Sequence, residues 1–392
     1  MKHIYVITDV DLLEKSAQPI HVLSLCKYLG RLGVKVHLVC PFWQSGVLQV
    51  PQEVITVPVS VPKQPFLRAR IFQTRLLMLL SRLPRPDALY VRLSAGMISP
   101  AVWTYLTGVP LFVEVNGIIE IEYLMQVKAS NIKKWLKVQR IRAFEYINLK
   151  RAKGIIFVTN HLREYFASRY QIPPEKSVVI NNGVDLEIFK PGDKQQSRQE
   201  LGVPDGQILL GFVGALAPWQ GLEDAIRAVR LLRDRGTNCQ LFIVGQGVEE
   251  NRLRTLIHEL EVSAQVTLVG GVDYESVPFY INAFDICLVP KRNLLSGVSP
   301  LKLYEYMACG RPIVATDVPG LEIVSQIGAG VNAKAGSPES LADAIEELIR
   351  RKGEWEEMGL RGRMYVEMNA SWKRRAEETI LFFKDQLGGI WS

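Results

Sequence analysis

Short, strand-sized apolar runs alternate with longer amphipathic stretches along the whole 392-residue chain. That rhythm is the mark of parallel sheets whose strands are joined by helical crossovers. In the first half the expected strands are His3–Thr8, Val34–Cys40, Val54–Val59, Ala88–Arg92, Leu111–Asn116, Gly154–Thr159 and Ser177–Asn181. Helices are expected at Pro19–Leu32, Phe66–Leu83 and Ile132–Lys150. Residues 185–206 break the rhythm: they are rich in Lys, Gln, Asp and Gly, carry Pro191 and Pro204, and read as a linker with one short polar helix. A second series follows, with strands at Ile208–Gly214, Cys239–Gly245, Val266–Gly270, Asp285–Pro290, Pro312–Thr316 and Gly330–Ala333. Its helices are expected at Leu222–Arg235, Glu249–Leu260, Pro300–Ala308, Pro338–Arg351 and after Ser371. The predicted class is α/β, two doubly wound domains with ligand sites at the carboxyl ends of both sheets.

Apolar residues make up 48% and charged residues 22% of the chain, which excludes a disordered chain, a collagen-like repeat and a coiled-coil rod. No apolar run approaches the ~18 residues of a membrane helix, and Met1–Thr8 reads as a first strand and not as a signal peptide. The five cysteines stand singly in apolar surroundings, as reduced cytosolic thiols do. His3, His21, His37, His161 and His258 show no metal-ligand spacing and are expected on surfaces or in loops. Asp9-Val10-Asp11 is expected to cap or form a loop, and no metal or cofactor is assigned.

Charge is uneven. Residues 1–190 hold 25 Lys and Arg against 13 Asp and Glu, a net of +12; residues 191–392 hold 22 against 27, a net of −5. The first half therefore meets something anionic: phospholipid, nucleic acid or a phosphorylated substrate.

The most informative stretch runs from Ser299 to Thr316. Ser299 suits an N-cap, Pro300 the first helical position, and Gly310 a helix end before a buried strand. The loop before it, Asn293–Val298, is small enough for a ligand to approach its backbone. A helix N-terminus binds phosphate through free N–H groups and its dipole. Lys302 in the first turn and Glu305 one turn on suit a diphosphate joined to a sugar diol. The plain alternative is an exposed i,i+3 ion pair.

This stretch resembles the donor-site motif of the retaining glycosyltransferases of family 4, which have the GT-B architecture. By that resemblance Glu305 binds the ribose hydroxyls of a nucleotide-sugar. The family's first Glu corresponds to Gly297, so the backbone of Gly297, Val298, Ser299, Pro300 and Leu301 is implied to take over, as in the Ser-Pro-x-Lys-x-Tyr-Glu-Tyr branch. Asn181-Asn182-Gly183-Val184-Asp185, with Phe189 and Pro191, matches the junction signature, and Phe212–Leu222, including Gly214, matches the first strand and loop of the nucleotide domain. The family's diphosphate Arg and Lys correspond to Ala215 and Gln220, which leaves Lys302, with Arg292, as the nearby cations. Gly245-Gln246-Gly247 resembles the family's Gly-x-Gly turn. On the acceptor side Asn116 stands where many members place a His; Asn116, Gly117 and Glu120 are implied to line the cleft, Asn116 orienting sugar or acceptor without shuttling a proton.

The resemblance implies an acceptor domain over 1–185, a linker over 186–206, a nucleotide-sugar domain over 207–370 and a C-terminal helix, 371–392, crossing back to the first domain. It implies metal-free transfer of a sugar, UDP favoured as carrier, with retention, to a lipid-linked or glycan acceptor in cell-surface polysaccharide or glycolipid synthesis. Catalysis would come from the helix N-terminus and Lys302. An epimerase of the same fold is the second reading, disfavoured by Asn116 and the lack of cleft histidines. A nucleic-acid-binding protein is the third, and no recognition module supports it. Residues 63–92 and 128–153 interleave cations with apolar residues, which points to helices lying on an anionic cytoplasmic leaflet.

Overall fold

A computed structural model describes residues 2–14, 16–43, 50–126, 131–293 and 297–388. The chain forms two compact units, one of residues 1–14, 18–181 and 372–392, the other of residues 15–17 and 182–371.

The first unit holds a seven-stranded parallel sheet: β1 (His3–Ile7), β2 (Lys35–Phe42), β3 (Val54–Ser60), β4 (Ala88–Arg92), β5 (Leu111–Val115), β6 (Gly154–Phe157) and β7 (Ser177–Val179). Their order is β3-β2-β1-β4-β5-β6-β7. The second unit holds six: β8 (Ile208–Val213), β9 (Cys239–Val244), β10 (Val266–Gly270), β11 (Ile286–Val289), β12 (Ile313–Thr316) and β13 (Gly330–Ala333), in the order β10-β9-β8-β11-β12-β13. Both are parallel throughout, and each reverses direction of growth beside its first strand: between β1 and β4, and between β8 and β11. Such a switch point opens a crevice at the carboxyl ends of the strands. The strands are nearly continuous apolar runs because helices cover both faces.

The class, two doubly wound α/β sheets, agrees with expectation, and every expected strand is present within a few residues. Helices Ser99–Thr107, Ile119–Gln126, Asn160–Tyr170, Val277–Ala283 and Trp355–Asn369 were not foreseen. Residues 186–206 are no free connector. The helix Lys194–Glu200, capped by Asp193, packs on Val277–Ala283, and Arg198 Nη1 lies 2.8 Å from the Asp285 carboxylate. Asp285 in turn accepts from the Leu209 amide, so this polar segment is tied to the second sheet. The C-terminal helix Trp372–Leu387 groups with the first unit, where Phe383 stacks on Phe112 of β5 at 3.9 Å between ring centres.

Candidate functional site

In the second unit the switch point brings together three strand ends. Gly214 follows β8, Gly245 follows β9 and Lys291 lies two residues past β11, and the helix Leu301–Ala308 starts beside them. Lys302 points back along this helix onto β8: its Nζ lies 3.7 Å from the Phe212 ring centre and donates to Gln220 Oε1 at 2.9 Å. Gly214 (φ +140°) makes room for it, since a Cβ there would sit 2.7 Å from the Lys302 nitrogen. Gly245 (φ +143°) lies against the Gly214 backbone in the same way. Gly247 packs on the backbone of Leu216.

Lys302 is 8% exposed, and Glu305 is also buried. The two form no ion pair among the described residues; Glu305 instead accepts from the Tyr274 hydroxyl at 3.3 Å. Burial pushes the Glu305 carboxyl up to about 7, only partly opposed by Tyr274 and Lys302. Burial, and then the neighbouring charge of Lys291, pushes Lys302 well below the ordinary lysine range. The exposed ion pair that the spacing alone allowed is therefore not what forms.

Ser299 is a correction. The helix is capped at Pro300 with no side-chain cap, and Ser299 Oγ accepts the Asn182 amide at 3.0 Å, while its carbonyl accepts from Asn182 Nδ2. Ser299 thus fastens the segment after β7 to the loop. Gly297 adopts a left-handed φ of +61°, and the Val298 amide donates to Pro319 O, which fixes the turn that leads through Pro300 to Leu301. Residues 294–296 of the expected ligand loop lie outside the described residues. Arg292 does not face Lys302. Its guanidinium is drawn to Asp224 (3.4 Å) and Glu223 (3.6 Å) on the helix Leu222–Asp234.

In the first unit Asn116 follows β5, and its Nδ2 donates to Glu114 Oε1 at 2.6 Å. Glu114 is buried in the strand; Tyr90 donates to its other oxygen, and His21 Nε2 lies 2.9 Å from Oε1. Burial alone would raise the Glu114 carboxyl, but His21, Arg92 and Asn116 outweigh it and hold it at about 2. His21 is therefore no surface or loop residue: it is buried on the helix Ala17–Arg31, edge-on to Trp372. Glu122 folds against Gly117, where a Cβ would meet its carboxylate at 2.0 Å. Glu120 is spent elsewhere. Its carboxylate accepts from Arg142, from Arg169 at 3.0 Å and from Tyr165 at 2.9 Å, which ties three helices together.

The family profile for glycosyl transferases group 1 matches residues 193–365, and that for glycosyltransferase family 4 matches residues 18–188. The chain belongs to the group 1 glycosyltransferases. It is 28% identical to the alpha-D-kanosaminyltransferase of Streptomyces kanamyceticus over 76% of this chain and 74% of that protein. Its alignments span about half to three quarters of the length of the curated relatives it matches. Among solved structures it resembles the sucrose-phosphate synthase of Thermosynechococcus elongatus, with TM-score 0.79, 19% identity and 99% of both chains covered. It also resembles Anabaena HepE in complex with UDP-glucose, with TM-score 0.76, 16% identity, and 97% of this chain and all of that chain covered. Both likenesses are to the GT-B fold.

Four residues of these two neighbourhoods were missed from sequence: Lys291, Tyr274, His21 and Glu114. Tyr274 meets Glu305, His21 meets Glu114 and Lys291 meets Thr316, each pair well separated in the chain. Only the strand order reveals that Lys291, just past β11, lies near the end of β8. A cavity of about 640 Å³ around Arg311 and Trp355 opens at the opposite, amino ends of β8 and β12 and is a separate place.

Proposed function

We propose that this chain transfers a sugar from a nucleoside diphosphate, UDP favoured, to a hydroxyl group, with retention and without a metal. The observation that carries this is Lys302: a buried ammonium held on Gln220 over Gly214, one helical turn from a buried carboxyl. A buried charge of this kind is costly without an anion. A diphosphate supplies one, and more strongly in the transition state, when the bond to the sugar breaks and charge gathers on the leaving oxygen. The amides at the start of the helix Leu301–Ala308 add to the same field. Glu305 suits the ribose hydroxyls: as carboxylate it accepts from both, and nucleotide binding would draw it toward the charged form. The leaving phosphate takes the acceptor's proton on the face from which the sugar departs. UDP as carrier is supported by the HepE likeness, a protein solved with UDP-glucose.

On the acceptor side Asn116 gives its Nδ2 to Glu114, which leaves Oδ1 to accept from a hydroxyl of sugar or acceptor. The acceptor we favour is lipid-linked or a glycan. The helix Pro65–Leu80 spends its apolar stripe on the core through Phe72, Leu76 and Leu80. The helix Asn131–Arg151, however, exposes Ile132 (74%), Trp135 (60%) and Leu136 beside Lys133, Lys134 and Lys137. Lys137 is depressed by burial and then by Arg140 and by Arg70 of the helix Pro65–Leu80, so a cation of each cluster lies near the other. Lys128 and the side chain of Phe66 lie outside the described residues. No described helix is long and apolar enough to cross a membrane. Peripheral seating on an anionic cytoplasmic leaflet fits a basic face carrying Trp, Ile and Leu.

A thermal-shift series with UDP, GDP and ADP tests the donor reading, because a ligand bound only to the folded state raises Tm with concentration. Stabilisation by UDP above the other two is expected. No stabilisation by any nucleoside diphosphate would end the reading.

A further inference from the structure

Lys291 is 9% exposed, and among the described residues its ammonium has neither a hydrogen-bond acceptor nor a carboxylate partner. Its backbone is pinned: the Thr316 hydroxyl donates to the Lys291 carbonyl at 2.6 Å, which locks the turn at the ends of β11 and β12. The next residue turns the other way, since Arg292 is neutralised by Asp224 and Glu223. Lys291 thus stands beside the carboxyl-end crevice as a second buried cation, close enough to Lys302 to lower its affinity for a proton. Two adjacent buried lysines repel one another, and the nearest carboxyl, Glu305, is itself pushed toward neutrality. Proteins seldom keep such a pair unless an anion with more than one charge comes between them.

We infer that Lys291 is a donor-binding residue which, paired with Lys302, seats the diphosphate of the nucleotide-sugar. The assignment rests on the donor reading above. It accounts for a loop in which Ala215 and Gln220 bring no charge to the site. It also carries a linked effect. Burial lowers the Lys291 ammonium to about 8, so part of the ligand-free population is neutral at pH 8.5. A diphosphate raises both lysines, and binding then takes up protons. The charged groups around the pair are Lys302 and Glu305 on the helix Leu301–Ala308, and Arg292 with its partners Asp224 and Glu223. At pH 8.5 the Glu305 carboxyl, held at about 7, is largely ionised, so the uptake reads the lysines first.

The test is calorimetry at pH 8.5 with UDP and with uridine, repeated in buffers of different ionisation enthalpy. The proteins are wild type, Lys291→Met and Lys291→Arg. Lys291→Met keeps the volume and removes the buried charge, so it folds at least as well as wild type. The expected result is UDP affinity about tenfold weaker or more in Lys291→Met, as befits loss of a charge-assisted contact. Uridine affinity stays unchanged, proton uptake shrinks, and Lys291→Arg restores most of the UDP affinity. Unchanged UDP affinity and proton uptake in Lys291→Met would overturn the assignment while leaving the donor reading intact. Equal losses for UDP and uridine would overturn it too, as general damage. If wild type binds neither UDP, GDP nor ADP, both fall together.

Discussion

Lys302 donates to Gln220 Oε1 at 2.9 Å, and that bond joins the start of one helix to the loop after β8. A neutral amide holds the ammonium in place without cancelling its charge, so the lysine stays poised for an anion. Gln220 therefore acts as a positioning residue for Lys302.

Replacing Lys302 by Ala removes charge from the leaving phosphate. We expect kcat/KM to fall about 100-fold or more, a loss of roughly 2.7 kcal/mol of transition-state stabilisation. Steady-state kinetics with the UDP-sugar identified by the thermal-shift series measures it. A loss confined to KM would mean the lysine serves ground-state binding only.

Glu305 makes stability depend on pH. Its carboxyl is raised by burial from 4.5 to about 7, so the folded state holds a proton that the unfolded chain releases. Stability therefore falls as pH rises from about 4.5 to about 7 and changes little above that. Glu305→Gln abolishes this slope and stabilises the ligand-free protein at pH 8 by on the order of 3 kcal/mol. Urea midpoints at pH 5 and pH 8 check it. The same variant should weaken nucleotide binding, because ribose is held alike in ground and transition states.

Asn116→Asp sets a second carboxylate against Glu114, which the wild-type amide contacts at 2.6 Å. We expect a Tm drop of several degrees at pH 7 and a much smaller one at pH 4, where the new carboxyl holds its proton. Equal drops at both values would show that shape, not charge, matters there.

Turnover is expected to survive EDTA, since the positive charge at the phosphate comes from lysines. Loss on chelation with recovery in Mg²⁺ or Mn²⁺ contradicts the mechanism.

For the membrane surface, wild type should sediment with vesicles of anionic phospholipid at low salt and be released at high salt. Lys133, Lys134 and Lys137 changed together to Glu should abolish sedimentation, and Trp135→Ala should weaken it. Nucleotide affinity stays as in wild type. Failure of wild type to pellet points to a soluble acceptor.

Much of this protein was determined by sequence alone. Periodicity of apolar residues is local, and each buried parallel strand announces itself as a short run of Val, Ile and Leu bounded by polar turns, as in Ile286–Val289. The helix we propose for the donor could be named for the same reason: Pro300, Lys302, Glu305 and Gly310 all lie within a dozen residues. Partners across the sheet were a different matter. Ser299 reads as a helix cap until Asn182 arrives from 117 positions away and takes its hydroxyl. Arg292 reads as a phosphate ligand until the helix Leu222–Asp234 presents two carboxylates to it. Lys291 draws no reading along the chain, and His21 is expected on a surface or in a loop. Burial and charge pairing are properties of three-dimensional neighbourhoods, fixed by strand order and not by spacing along the chain. Only the tertiary structure therefore decided which lysine lost its partners, and which carboxylates were spent holding helices together.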